Sequence, residues 1–241
     1  MRLIAFLFVL FLSINTSNAN DINNGFDFYS TRLIYNESDK SGISFSIKNN
    51  SKNNYLMQAW ISETSPMSIK DSTDDYKYKD SPFIILPPLK KINGYEKMSW
   101  RIIQKDRILN RKNESVYYIY IKAIPSFNED ENSKIAINTV LAFKLFYRPN
   151  DLEIKKINKT FDMLEFQKEG ESLIVRNNSP LYVTFDSISI GNKKISEDEL
   201  MRMVPPNDSQ KYLLPKNASG KIQWSLINDL SGKTESIEQD F

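Results

Sequence analysis

Apolar residues along much of this chain recur at every second position, the period of a strand whose successive side chains leave on opposite faces. The most extended case is K-I-A-I-N-T-V-L-A-F-K-L-F-Y-R, from Lys134 to Arg148. Ile135, Ile137, Leu141, Phe143 and Leu145 fall on one parity there, while Lys134, Asn138 and Lys144 fall on the other. At ~3.3 Å per residue such a stretch reaches roughly 45–50 Å, more than the five or six residues of an ordinary strand need. An alternating strand belongs first to a core, and the excess length needs a further reason.

The same pattern, in shorter pieces, predicts strands over Phe26–Tyr35, Gly42–Lys48, Tyr55–Ser62, Pro82–Leu86, Met98–Gln104 and Ser115–Ile124. Each is rich in aromatic and branched residues and is bounded by Asn, Ser, Asp, Lys or Pro clusters. With Ile135–Tyr147 and no convincing amphipathic helix, this is the layout of an immunoglobulin-like sandwich. Trp60 and Trp100 lie within strand patterns and are assigned to its core. Thr64–Ser81 breaks the pattern with serine and mixed charge, as a solvated or partner-contacting loop does.

Pro149-Asn150-Asp151 stops the long strand, since proline cannot donate to a ladder and all three favour a turn. A domain boundary is placed there. Strands resume at Asp162–Gln167, Ser172–Arg176, Leu181–Ile190, Lys211–Leu214, Ile222–Leu226 and Glu235–Glu238, with Pro205-Pro206 in a turn and Trp224 in a second, smaller core. The expected fold is all-β: two sandwich domains, residues 20–149 and 150–241.

Composition then narrows the function. Met1-Arg2, the apolar run Leu3–Leu12 and the small-x-small site Ser17-Asn18-Ala19 have the anatomy of a cleaved secretory signal, so export with cleavage after Ala19 is expected. The apolar run is too short to span a bilayer, and no later segment is apolar enough, so no stable membrane insertion is expected. The chain has no cysteine and no histidine. Thiolate chemistry, Ser-His and Cys-His pairs and imidazole metal sites are thereby excluded, leaving carboxylate, lysine or tyrosine chemistry. With 32 basic against 30 acidic residues, nothing favours nucleic acid as a partner.

Several motifs occur together in one order: T-R-L-I-Y (Thr31–Tyr35), Y-L-M-Q-A-W-I (Tyr55–Ile61), P-F-I-I-L-P-P (Pro82–Pro88), K-L-F-Y-R-P (Lys144–Pro149), N-N-S-P-L-Y-V-T (Asn177–Thr184) and I-N-D (Ile227–Asp229). The set closely resembles the periplasmic pilus-assembly chaperones of the chaperone-usher pathway, the PapD-like family, over nearly the whole chain after residue 19. The resemblance implies two immunoglobulin-like domains joined at an angle around a cleft. It further implies binding of pilus subunits by donor-strand complementation, a form of strand addition, and delivery to an outer-membrane usher.

Carried over residue by residue, the resemblance makes the last strand of domain one the donor, with Ile135, Ile137, Thr139 and Leu141 on the lending parity; Thr139 departs from the family's bulky aliphatics. Arg32 and Lys144 match the pair that anchors the subunit's C-terminal carboxylate. Glu114, Arg148 and Asp229 match an inter-domain ion network. Asn113 stands where a basic residue commonly precedes the glutamate, and Leu230-Ser231 replaces an aromatic-glycine pair. The short connection Pro125–Ser133 without flanking cysteines points to the short-loop class. No cofactor or metal is implied, and self-association of the subunit-free protein stays open. Two other readings are weighed beside this one: a secreted structural or adhesive pilus component, and a two-carboxylate glycosidase, for which no particular acidic pair is marked out.

Overall fold

The computed structural model describes residues 25–68, 81–126, 138–152 and 160–240. Its first half contains β1 (Phe26–Phe28), β2 (Arg32–Asn36), β3 (Ile43–Asn49), β4 (Tyr55–Ser62), β5 (Phe83–Leu86), β6 (Leu89–Ile92), β7 (Lys97–Gln104), β8 (Ser115–Pro125) and β9 (Thr139–Arg148). One sheet is ordered β1-β3-β7-β5 and the other β2-β9-β8-β4-β6. Strand alternation turns Phe45, Ile47, Met98, Trp100 and Ile102 of the first sheet towards Met57, Ala59, Ile119, Ile121, Phe143, Leu145 and Tyr147 of the second. Each fully buried side chain of this size contributes about 1.5–3 kcal/mol, and the two inner faces form one core.

The run Phe26–Tyr35 is two strands, not one. β1 pairs with β3, whereas β2 pairs in parallel with β9, so the chain changes sheets between Phe28 and Arg32. Ser30 makes the corner: its hydroxyl donates to the Arg32 carbonyl and accepts from the Arg32 N–H. β6 was not predicted, because Pro87-Pro88 before it and Lys90-Lys91 within it have the composition of a loop; it holds on by pairing with β4 from Gln58↔Leu89 to Tyr55↔Ile92. Trp100 occupies the core as expected. Trp60 is buried on the opposite face of its sheet, stacked on Tyr120 at 5.4 Å and 13° in a small cluster with Tyr118. Most of the polar stretch Thr64–Ser81 lies outside the described residues.

The second half contains β10 (Leu164–Glu169), β11 (Ser172–Asn177), β12 (Phe185–Ile190), β13 (Lys193–Lys194), α1 (Glu197–Leu200), β14 (Asp208–Leu213), β15 (Ile222–Leu226) and β16 (Ile237–Gln239). Its sheets run β10-β11-β14 and β13-β12-β15-β16, over a core that includes Leu173, Val175, Phe185, Ile188, Tyr212 and Trp224. The two large cores share no residue. β12 begins four residues later than the pattern at Leu181 suggests. Buried Asn177 explains this: its amide donates to the carbonyls of Leu181 at 2.7 Å and Pro205 at 2.9 Å, and its oxygen accepts from the Ser179 N–H at 3.0 Å. Residues 178–184 are thereby pinned as a loop facing the first domain. α1 is a single turn capped by Ser196.

Candidate functional site: the inter-domain cleft

The parallel register between β2 and β9 sets Arg32 beside Lys144 and Asn36 beside Arg148. On β9, Lys144, Phe146 and Arg148 share the parity that faces away from the first core, and each meets a different part of the boundary with the second domain. Sequence pattern alone separated these residues from Phe143, Leu145 and Tyr147. The register with β2, which brings Arg32 alongside, is a tertiary fact.

Arg148 lies nearest the linker. Its Nε donates to Glu114 Oε1 at 2.7 Å, while its two terminal nitrogens donate to Asp229 Oδ2 at 2.6 Å and Oδ1 at 2.8 Å. Glu114, just before β8, is almost fully buried. Its second oxygen accepts the Tyr182 N–H at 2.9 Å, and its own N–H donates to the Pro180 carbonyl at 2.8 Å. Burial pushes the Glu114 carboxyl up, with the Arg148 charge and these donors opposing. Burial acts in the same direction on Asp229, but its contacts with Arg148 and the charge of Arg32 leave it below the usual carboxylate range. Bidentate geometry about a largely buried Arg148 makes this a directional joint.

The second domain's side of the joint is a tight turn after β15. Asn228 Oδ1 accepts from Leu230 N at 3.0 Å and Gly232 N at 2.9 Å, and the turn is closed by an Asn228 N–H to Gly232 carbonyl bond of 2.8 Å. Ser231 adopts φ 64°, and its hydroxyl accepts the Thr31 N–H at 3.1 Å and contacts Ser30 Oγ at 3.0 Å. Asn113 takes part as well, its oxygen accepting from Asn207 Nδ2 at 2.8 Å. The departures at Asn113 and Ser231 are therefore both inter-domain contacts.

Arg32 spans the cleft floor. One terminal nitrogen donates to the Ile227 carbonyl at 2.8 Å and the other to Thr184 Oγ1 at 2.6 Å, and the guanidinium lies 5.1 Å over the Phe146 ring. Burial lowers its pKa, with Asp229 and Glu114 opposing. Lys144 differs from every other charge here. Among the described residues it has no hydrogen-bond or ion-pair partner, and burial with Arg32 alongside pulls its ammonium down to about 8. A desolvated cation without an acceptor, next to a second cation, is a site prepared for an anion.

Beyond Lys144 the strand is open. β9 pairs with β8 along Thr139–Tyr147, but β2 covers its other edge only from Lys144 to Arg148. Thr139, Val140, Leu141, Ala142 and Phe143 face no strand on that side among the described residues. Thr139 is exposed and Leu141 half-buried, on the same parity as core residues Phe143 and Leu145. Ile135 and Ile137 lie outside the described residues. Of the functional positions, Tyr182, Thr184, Ile227 and Ser231 escaped prediction: all four act through a backbone atom or a hydroxyl, which leave no pattern, though Tyr182, Thr184 and Ile227 sit in quoted motifs.

Comparison with known proteins decides the class. The family described as "Pili and flagellar-assembly chaperone, PapD N-terminal domain" matches residues 25–153, and "Pili assembly chaperone PapD, C-terminal domain" matches residues 159–238. The chain belongs to the PapD chaperone family. It is 32% identical to the "Probable fimbrial chaperone LpfB" of Escherichia coli O157:H7, over 90% of this chain and 88% of that one. It is equally identical to "Chaperone protein LpfB" of Salmonella typhimurium strain LT2, covering 91% and 90%. Among solved structures, the "Periplasmic Chaperone SfaE" aligns with a TM-score of 0.70 and 30% identity, covering 89% of this chain and 98% of that one. A SafB chaperone in complex with SafA pilin from Salmonella enterica shares the fold at TM-score 0.73 and 22% identity, covering 90% and 96%. This PapD-family protein is a pilus-assembly chaperone rather than a structural or adhesive component, and its two-sandwich fold is the one expected from the sequence. No helix among the described residues is long and apolar enough to cross a membrane.

Proposed function

We propose that this chaperone captures pilus subunits by lending them the open edge of β9, with the subunit's C-terminal carboxylate held by Arg32 and Lys144. The observation that carries the reading is the partnerless Lys144 ammonium, placed beside Arg32 where the open edge begins. A guanidinium and an ammonium complement each other, one supplying a planar fork and the other a compact charge. The carboxylate anchor fixes register, and the chain leading up to it then runs along Thr139–Phe143. Backbone bonds there contribute a net ~1 kcal/mol each. The parity of Thr139 and Leu141, continued by Ile135 and Ile137, enters the subunit's own groove, each fully buried aliphatic adding about 1.5–3 kcal/mol. A subunit bound this way hides both an apolar groove and a free edge, the two features that drive aggregation.

In this reading Glu114, Arg148 and Asp229 set the angle of the cleft and do not touch the subunit. The protein works in the periplasm after loss of residues 1–19, belongs to the short-loop class, and passes its subunit to an outer-membrane usher. The process is non-enzymatic, driven by subunit folding and later strand exchange. Co-expression with a pilus subunit tests it. Arg32→Ala and Lys144→Ala should each leave a folded chaperone that no longer yields a soluble complex, as should removal of the subunit's last residues. Normal complex formation by both variants would refute the anchor.

A further inference from the structure

Lys144 also borders a second feature that the anchor does not use. A cavity of about 550 Å³ opens on the outer face of the β8–β9 pair, lined on one side by Met67, Val116 and Tyr118 and on the other by Tyr182, Met201 and Met203. Three of the chain's seven methionines converge there from both domains. Met67 and Met201 are each about half exposed, so their thioethers are accessible from the cavity. Tyr118 is the cross-strand partner of Lys144, so the mouth of the cavity adjoins the ammonium. Arg202 and Gln210 supply its polar rim.

We infer that this cavity receives one large apolar side chain from the last two residues of the bound subunit, and so selects subunits by their terminal residues. The inference rests on the carboxylate anchor proposed above. A strand that ends at Arg32 and Lys144 and runs along the open edge of β9 turns successive side chains to opposite faces. One parity follows Thr139 and Leu141 on the inner face. The other follows Ala142 and Lys144 on the outer face, where the cavity lies. Of the last two side chains, therefore, one meets the methionines. Methionine is flexible and polarisable, and packs against aromatic and aliphatic groups alike. The pocket tolerates Phe, Tyr, Leu or Met, gives little to Gly or Ser, and rejects Lys or Arg, whose charge the thioethers and rings of its lining cannot compensate.

The test uses the full chaperone and synthetic ten-residue peptides of alternating valine and threonine with a free carboxyl terminus. Either the last or the next-to-last residue is replaced by Phe, Leu, Gly or Lys, and C-terminal amides serve as controls. Affinity is measured by calorimetry, with methyl-¹³C methionine resonances recorded in parallel. At one of the two positions, and only there, Phe and Leu should bind about tenfold more tightly than Gly, with Lys weaker still. The same peptides should shift the Met67, Met201 and Met203 methyl signals. Met67→Ser and Met201→Ser should each erase the preference while leaving binding of the Gly peptide unchanged. Acid-dependent binding with no preference at either position, or a preference that survives both substitutions, overturns the pocket and leaves the anchor standing. Amides that bind as well as acids overturn the anchor and this inference together.

Discussion

Because the Lys144 ammonium is held down to about 8 in the free chaperone, subunit binding should lose strength in mildly alkaline solution. A bound carboxylate keeps the proton on Lys144, so above pH 8 binding must be coupled to proton uptake. At pH 7 about nine-tenths of the free protein carries the charge; at pH 9 about one-tenth does. The dissociation constant for a peptide with a free carboxyl terminus should therefore rise about tenfold between pH 7 and pH 9, or about 1.4 kcal/mol. Arg32 keeps its charge throughout and contributes no slope. Calorimetry in two buffers of different ionisation enthalpy reads both quantities, with about half a proton taken up at pH 8 and nearly one at pH 9. Lys144→Met should flatten the profile. It should also stabilise the free chaperone by about 1–3 kcal/mol, since a cation whose folded pKa lies below its unfolded value destabilises the fold wherever it is charged. A constant affinity from pH 7 to 9, or the same slope in Lys144→Met, would refute the reasoning.

Three other perturbations separate the remaining parts. Glu114→Ala leaves Arg148 without its buried partner and should lower unfolding stability by about 3–5 kcal/mol, whereas Asp229→Asn, at a half-exposed carboxylate, should cost about 1 kcal/mol; equal denaturant midpoints for the two would contradict the joint as described. Leu141→Asp should weaken subunit capture far more than Ala142→Asp, because only Leu141 shares the parity of Phe143 and Leu145; capture yields measured beside thermal midpoints tell lost complementation from lost folding. Arg111 donates to Glu37 at 2.6 and 3.1 Å and to Asp151 at 2.7 Å, while Glu37 also accepts the Asn150 N–H at 2.9 Å, clasping the start of the linker. The Asn150 and Arg111 hydrogen bonds hold Glu37 below the usual carboxylate range, and Arg111 does so for Asp151. The clasp thus contributes at neutral pH and is lost as the solution is acidified through the depressed values, and Arg111→Ala should speed hydrogen exchange at Asn150 at pH 7 but not after acidification.

The strand elements were legible wherever a one-sided surface imposes alternation, as along β3, β7 and β9. Legibility failed where backbone geometry, not burial, sets the structure. The corner at Ser30 divides an uninterrupted apolar run, and β6 survives a loop-like composition because β4 offers it a ladder. The late start of β12 depends on three hydrogen bonds to one buried asparagine. Trp60 lies within a strand pattern and is buried as expected, but a strand has two faces, and on β4 it packs on the outer one in its own cluster.

By itself the sequence determined the all-β class, two sandwiches with a break near Pro149, and the exclusion of histidine and cysteine chemistry, because periodicity and residue type are properties of the chain. Its motifs pointed to the family and to Arg32, Lys144, Glu114, Arg148 and Asp229. Only the tertiary structure decided what each charge meets. Parallel pairing with β2 stops at Lys144 and leaves the rest of β9 open, Ile227 and Thr184 satisfy Arg32, Glu114 and Asp229 satisfy Arg148, and nothing among the described residues satisfies Lys144. Partners separated by eighty or more residues are fixed by packing and register, and no local pattern encodes them.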